Sequence, residues 1–332
     1  MTCLNLSYVP CIKYKNSDKK KMLFKKKILV KNKSDLDLKI DKENCFLELK
    51  ESSNLFDSVE FLQVPCGICK ECLKKNARDW AFRCVKEASQ YKENYMITLT
   101  YDNDNLPFNG SLVKDEISKF NKKLKTYLSR LNLPSDFRFF GCGEYGSQFG
   151  RPHYHIIYFN LQLSKLSELL GLRYYGKSSK GFPIYSCKFL DDTWSKGIVK
   201  VSECDIGSCA YVAHYVDKKK CFTKGQKEFF YNNTGLVPDF CVMSRNPGIG
   251  SCFIEDVDNN FLKGFFNAYL NGQCYAIPKF YINKLKDYGL TSYDIYKDNL
   301  LSNRFNIDSY FLDIEKGFSL NYNLSNNKGR CF

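Results

Sequence analysis

The chain has 332 residues, a formal net charge of +14, and 44% apolar and 16% aromatic side chains. That composition excludes a disordered polymer, and no apolar run is long enough to predict a membrane span. The basic balance favours a polyanionic partner such as nucleic acid, although an AT-rich genome also enriches lysine.

The N-terminal segment, residues 1–64, is lysine-rich and irregular in pattern, apart from a weak strand signal in "FLELKES". No apolar stretch follows its first basic residues, so no signal peptide is predicted. We therefore expect the 16 cysteines to be reduced thiols of a cytoplasmic protein, most of them small core residues.

A cysteine cluster follows this segment. Cys66, Cys69 and Cys72 form a C-x₂-C-x₂-C pattern at the start of a predicted helix. Structural zinc requires a fourth ligand, which Cys3 or Cys11 could supply from the N-terminal segment. The alternative is three thiols that pack at the start of the helix without a metal.

Regular patterning begins near residue 65 and predicts a mixture of helices and strands. Two predicted strands are joined by the short glycine-rich loop "GSQFGR", which implies an antiparallel pair. The predicted fold class is therefore α+β, and not a doubly wound parallel sheet. Apolar spacing predicts helices at 70–91, 111–133, 161–172, 208–220 and 258–271, and β-branched and aromatic runs predict strands at 95–102, 137–145, 152–159 and 197–203.

Two of the three histidines lie in the second strand of that antiparallel pair. His153 and His155 point to one face because side chains alternate along a strand. The hairpin brings Glu144 of the preceding strand beside them, and two imidazoles with one carboxylate can bind a metal ion. The alternative is a partly buried histidine pair beside a solvated glutamate.

The third histidine lies in "YVAHYVDKK", a predicted helix. Tyr211 and Tyr215 are four residues apart and share one helical face, with Lys218 on that face and Lys219 at its edge. The tyrosines could pack into a core. Alternatively, a nearby cation and a lysine could make a tyrosine hydroxyl attack a phosphate and form a phosphotyrosine ester.

Together these segments resemble the HUH endonuclease superfamily, in which three motifs occur in a fixed order. Here they are "MITLTY", "GRPHYHII" and "YVAHYVDKK". The segments "VPCGICKEC", "FFGCGEYG" and "MSRNPGIG" are also similar to replication initiators of gokushovirus-type microviruses. The resemblance covers about residues 64–250 and departs from the pattern at His214, where Lys or Arg is expected.

The resemblance implies a central antiparallel sheet of about five strands with flanking helices, similar to an RNA-recognition motif. It implies that residues 65–250 form an HUH endonuclease domain between a basic extension, 1–64, and a C-terminal region, 251–332, of unknown role. It further implies Mg²⁺ or Mn²⁺ on Glu144, His153 and His155.

The activity implied by the resemblance is site-specific nicking and joining of single-stranded DNA at a phage origin. Tyr211 and Tyr215 would be the nucleophiles for rolling-circle replication in the cytoplasm of a bacterial host, with Lys218 or Lys219 assisting. The chain contains no G-x-x-x-x-G-K-[ST] motif. We therefore expect a host helicase and polymerase as partners.

Two other functions fit the same residues. One is a non-catalytic protein that binds single-stranded nucleic acid, since a basic α+β sheet with many aromatic residues suits base stacking. Such a protein has no use for Glu144 beside His153 and His155. The other is a metal-dependent hydrolase in which water attacks, and it predicts no covalent DNA adduct.

Overall fold

The computed structural model describes part of the chain. Backbone is described for residues 6–14, 20–22, 28–29, 56–65, 67, 69–146, 149–178, 181–218, 229, 231–270 and 273–304. Side chains are described for residues 65, 67, 69–146, 149–178, 181–205, 207–213, 229, 231–269 and 274–300. The chain divides into an N-terminal unit, Met1–Ile249, and a C-terminal unit, Gly250–Phe332.

The N-terminal segment contains a small antiparallel sheet, which corrects the prediction of irregular structure. Strand β1 (Leu6–Tyr14) pairs along its length with β4 (Phe56–Pro65), and also with β2 (Lys20–Met22) and β3 (Ile28–Leu29). Sequence patterning missed this sheet because the partner of β1 is remote in the chain. The predicted strand in "FLELKES" lies outside the described residues.

The main sheet of the N-terminal unit has seven strands in the order β11-β6-β7-β5-β10-β9-β8. Neighbouring strands pair antiparallel, so the predicted α+β fold is confirmed, with two more strands than the five expected. The strands are β5 (Asn94–Tyr101), β6 (Arg138–Tyr145), β7 (Pro152–Phe159), β8 (Leu172–Lys177), β9 (Pro183–Cys187), β10 (Gly197–Glu203) and β11 (Phe240–Met243).

Helices pack on both faces of this sheet: α1 (Lys70–Ala88), α2 (Glu116–Arg130), α3 (Lys188–Trp194) and α4 (Ile206–Lys218). The amphipathic pattern of α2 is confirmed, because its apolar stripe is buried in the core with α3 and one face of β5, β7 and β10. A second core joins α1 and α4 to the opposite face, around Cys84, Phe140, Ile157 and Val212. Because strand residues alternate, each strand contributes to both cores.

The predicted helix at 161–172 is wrong. The structure has only a 3-10 turn, Leu163–Lys165, before β8 begins at Leu172. Leu161 and Leu163 are both buried in the core, whereas Leu169 is 66% exposed. The leucines therefore cover the edge of the core from an irregular segment, and their helix-like spacing does not correspond to one buried face. Sequence patterning also made no prediction for β8, β9 and α3.

The C-terminal unit contains α5 (Ile254–Leu262), a hairpin of β12 (Asn267–Leu270) and β13 (Gln273–Ala276), α6 (Lys279–Asp287) and α7 (Thr291–Arg304). The predicted helix at 258–271 is therefore too long. Gly264 ends it, because its φ of +81° lies in the left-handed region that glycine favours. None of the helices in the described parts of the chain is long and apolar enough to cross a membrane.

Candidate metal centre and tyrosine helix

The hairpin of β6 and β7 brings together the three residues predicted to bind a metal. Glu144 on β6 lies directly opposite His153 on β7, and His155 follows two residues later on the same face. The connecting loop reverses the chain through Gly150, whose φ of +63° favours glycine. The Gly146 amide donates to the carbonyl of Arg151 at 2.9 Å and closes the loop.

The three side chains converge on one point. The Nε2 atoms of His153 and His155 lie 2.8 Å and 2.9 Å from the same Glu144 oxygen, Oε1. One potential ligand atom from each residue lies within 4.8 Å of the others, which is the only such cluster within the described residues. Glu144 and His155 are buried, and His153 is partly exposed. Two imidazole nitrogens and one carboxylate oxygen therefore fit a divalent cation.

Contacts behind the imidazoles orient them. The Nδ1 atom of His155 lies 2.9 Å from the Thr98 hydroxyl, and Nδ1 of His153 lies 3.1 Å from the Arg151 carbonyl oxygen. A carbonyl only accepts, so Nδ1 of His153 donates in that contact. With the Nδ1 protons so placed, both Nε2 atoms are left for a metal. Metal binding would then displace the protons that bridge Nε2 to Glu144.

The carboxyl of Glu144 is strongly acidic in this setting. Burial raises its pKa, but hydrogen bonds from His153 and His155 and the charge of the two imidazoles outweigh burial. The pKa of Glu144 is therefore lowered from 4.5 to about 2. The group is a carboxylate over the whole physiological pH range, as a metal ligand must be.

A pH dependence of stability follows from this pKa. Because the folded-state value is below the unfolded value, Glu144 stabilises the fold above pH 4.5 and loses that contribution as the pH falls towards 2. We expect the loss to be about 3 kcal/mol in metal-free protein. In Glu144→Gln this part of the acid dependence should be absent when urea unfolding is followed from pH 6 to about pH 2.

Metal titration gives the same variant a second readout. An amide does not replace the charge of a carboxylate ligand, so Glu144→Gln should raise the Mn²⁺ concentration for half-saturation by at least about tenfold. Parallel acid profiles for the two proteins together with an unchanged Mn²⁺ midpoint would show that Glu144 is not part of the centre.

Thr98 offers a test of imidazole orientation. Thr98→Val keeps the side-chain shape but removes the hydroxyl at Nδ1 of His155, so Mn²⁺ affinity measured by calorimetry should fall about tenfold. The matched control is Thr100→Val, on the same strand and face, whose hydroxyl makes no hydrogen bond to either histidine of the described centre. Equal affinities for the two variants would contradict a positioning role for Thr98.

Helix α4 places Tyr211 beside this centre. Asp205 caps the helix: its Oδ1 accepts from the Ser208 amide at 2.6 Å and from the Ser208 hydroxyl at 2.8 Å. The buried side of the helix packs Cys209 and Val212 against the sheet. Tyr211 is left 38% exposed, with its ring centre 5.5 Å from that of His155.

The other predicted site residues are described less fully. Tyr215 and Lys218 lie in α4, one and two turns beyond Tyr211, but their side chains are outside the described residues, as is all of Lys219. Cys3 and Cys66 are also outside them. Cys69 immediately precedes α1 and Cys72 lies in its first turn, so the zinc site stays a prediction.

Comparison with known proteins identifies the family. The family model for replication-associated proteins of the ORF2 type matches residues 94–220, from the start of β5 to just beyond α4. The chain belongs to this family. The matched range contains Glu144, both strand histidines and both tyrosines of α4, so the candidate centre lies within the part of the chain that defines family membership.

Three phage proteins are similar to this family member. It is 33% identical over 191 residues to Replication-associated protein ORF2 of Spiroplasma virus 4, covering 56% of each chain. It is 33% identical over 225 residues to Replication-associated protein ORF4 of Chlamydia phage 1, covering 65% of this chain and 55% of that one. It is 29% identical over 226 residues to Replication-associated protein VP4 of Bdellovibrio phage phiMH2K, covering 65% of both.

The chain thus spans between about half and two thirds of the length of these relatives. No solved structure matches it. The predicted resemblance to replication proteins of small phages is confirmed at the level of this family.

Sequence reasoning missed one contact of the centre in this family member. Thr98 lies in the predicted strand at 95–102, but nothing in the pattern related its hydroxyl to an imidazole 57 residues later. The alternation of the strand was the available signal, because it places Thr98 on the polar side of "MITLTY".

Proposed function

We propose that this chain initiates rolling-circle replication of a small phage genome by nicking and joining single-stranded DNA through a phosphotyrosine intermediate. The observation that carries the proposal is the position of the Tyr211 ring, 5.5 Å from His155 at a cluster of metal-binding character. Family membership supports a role in replication. The nicking chemistry is our inference from the side chains.

The cluster and the tyrosine have complementary parts in this reaction. Mg²⁺ or Mn²⁺ on Glu144, His153 and His155 would supply charge to polarise the scissile phosphate. The Tyr211 hydroxyl attacks phosphorus and loses its proton, a bond forms between the tyrosine oxygen and phosphorus, and the bond to the 3′ oxygen breaks. The 3′ oxygen takes up a proton and becomes the hydroxyl that primes synthesis.

A second nucleophile completes the cycle. Tyr215 lies four residues further along α4, and about one helical turn separates the two backbones. While one tyrosine holds the 5′ phosphate, the other attacks the regenerated junction, and the free 3′ hydroxyl then closes the circle. Lys218 or Lys219 assists by accepting the phenol proton or by stabilising charge on the phosphate.

The distribution of charge supports DNA as the substrate. Residues 250–332 contain nine basic and nine acidic side chains, so the whole excess of +14 belongs to residues 1–249. The basic residues of this unit would contact phosphates, which makes binding strongly dependent on salt. We infer that the protein acts in the cytoplasm of a bacterial host, with host helicase and polymerase for unwinding and synthesis.

The deciding experiment is incubation with single-stranded DNA that contains the phage origin, in the presence of Mn²⁺. Denaturing gels should show one cleaved strand and a protein–DNA conjugate that survives heating in detergent. Cleavage without a conjugate would indicate hydrolysis by water instead. Binding without cleavage at any metal concentration would indicate a non-catalytic single-strand-binding protein.

A further inference from the structure

A cavity of about 600 Å³ opens next to the candidate centre. One end is lined by His155 and Tyr211, and its walls come from β5, β10, the tip of the β8–β9 hairpin and the first turn of α4. The apolar part of the wall consists of Met96, Phe182 and Ile184. Its volume and mostly apolar lining are typical of sites that bind small organic groups.

The cavity continues onto an open part of the sheet. Thr98 pairs with His155 on one side and with Lys200 on the other, so Lys200 lies two strands, or about 10 Å, from His155 on the same face. Lys200 is exposed, and its Nζ lies 5.7 Å from the centre of the Tyr175 ring. Tyr175 is 60% exposed. A cation and an aromatic ring therefore follow the cavity on this face.

The hairpin tip holds an exposed aromatic ring at the cavity wall. The Ser178 amide donates to the Phe182 carbonyl at 2.8 Å, and the Phe182 amide donates to the Ser178 hydroxyl at 3.0 Å. Phe182 is 53% exposed despite this fixed backbone. A large apolar ring that remains half exposed beside an apolar cavity is suited to stack against a flat ligand.

We propose that this cavity binds one nucleobase of the DNA strand, adjacent to the phosphate presented to Tyr211. This proposal rests on the proposed function. Phe182 stacks on the base and Lys200 contacts the neighbouring phosphate. Glu203 and Asp205 also line the cavity and repel phosphates, so the backbone lies on the Lys200 side and the base points towards the carboxylates.

The test separates base binding from phosphate binding. Affinities are measured by fluorescence anisotropy, without metal, for about 12 thymidines and for an abasic strand of equal length, within the site size of such domains. Wild type should bind the thymidine strand more tightly by about tenfold or more. Phe182→Ala should remove most of that preference, and Phe182→Tyr should retain it. Lys200→Gln should weaken both strands alike and leave their ratio unchanged.

The matched control is Tyr174→Ala in the same hairpin. Tyr174 is 63% exposed, but it pairs with Tyr185, which packs against the core on the opposite face of the sheet. Its loss should leave the thymidine preference unchanged. An equal loss of preference in Tyr174→Ala and Phe182→Ala, or no loss in Phe182→Ala, would overturn the pocket assignment.

The same proteins distinguish the two proposals. If wild type forms the covalent DNA conjugate but Phe182→Ala keeps the thymidine preference, the pocket is wrong and the nicking function stands. If Phe182→Ala loses the preference but wild type forms no conjugate, the base pocket stands and the nicking function is wrong.

Discussion

Replacing both Tyr211 and Tyr215 by phenylalanine should abolish the covalent protein–DNA conjugate, lowering its yield by about three orders of magnitude or more. No other hydroxyl on the exposed side of α4 is proposed as a nucleophile. Each single variant should retain some single-turnover nicking, unless one tyrosine must act first. Phenylalanine keeps both rings, and Tyr211 is 38% exposed, so the melting temperature should change little.

Peptide mass spectrometry of the conjugate is the control for this prediction. The modified peptide should come from α4 and should carry the nucleotide on Tyr211 in the Tyr215→Phe variant, and on Tyr215 in the Tyr211→Phe variant. A conjugate on another residue, or one that persists in the double variant, would contradict the mechanism. Retention of single-strand affinity by the double variant would show that the loss is chemical.

Replacing His153 or His155 by alanine should lower cleavage by about a thousandfold, because a cation that polarises a phosphate contributes several kcal/mol to the transition state. DNA binding should be largely intact, since it depends on distributed lysine and arginine contacts with phosphates. The measurements are the initial cleavage rate with Mn²⁺ and the affinity for the same strand without metal.

Folding of the histidine variants needs a separate check, because His155 is only 7% exposed and bonds to Glu144. Thermal unfolding and the salt dependence of DNA binding supply it. A variant that folds, binds DNA and still cleaves at the wild-type rate in the presence of a chelator would show that the histidines do not hold a required metal.

Short-range patterns in the sequence were enough to predict much of the centre. The alternation of "PHYHIIYF" predicted that His153 and His155 share a face of a central strand, and the short loop "GSQFGR" predicted Glu144 beside them. The structure places all three as expected, and the helical spacing of α1, α2 and α4 agrees with it. These features are local, because hairpin register and helical period depend on residues close in sequence.

Where local spacing was ambiguous, the sequence alone was misleading. The leucines of 161–172 have helical spacing, yet Leu161 and Leu163 are buried from a non-helical segment. Similarly, β1 and β4 pair across a separation that no window of the sequence contains. In both cases tertiary contacts outweigh local propensity, which is worth well under about 1 kcal/mol per residue for ordinary side chains.

The sequence by itself thus determined the α+β class, the hairpin with its glutamate and two histidines, and the helix that carries the tyrosines. Only the tertiary structure decided that Tyr211 lies against His155, that Thr98 orients that imidazole, and that the β8–β9 hairpin closes a cavity beside them. The physical reason is that these contacts join elements distant in the chain. Their distances depend on sheet order and on packing in two cores, which no periodicity encodes.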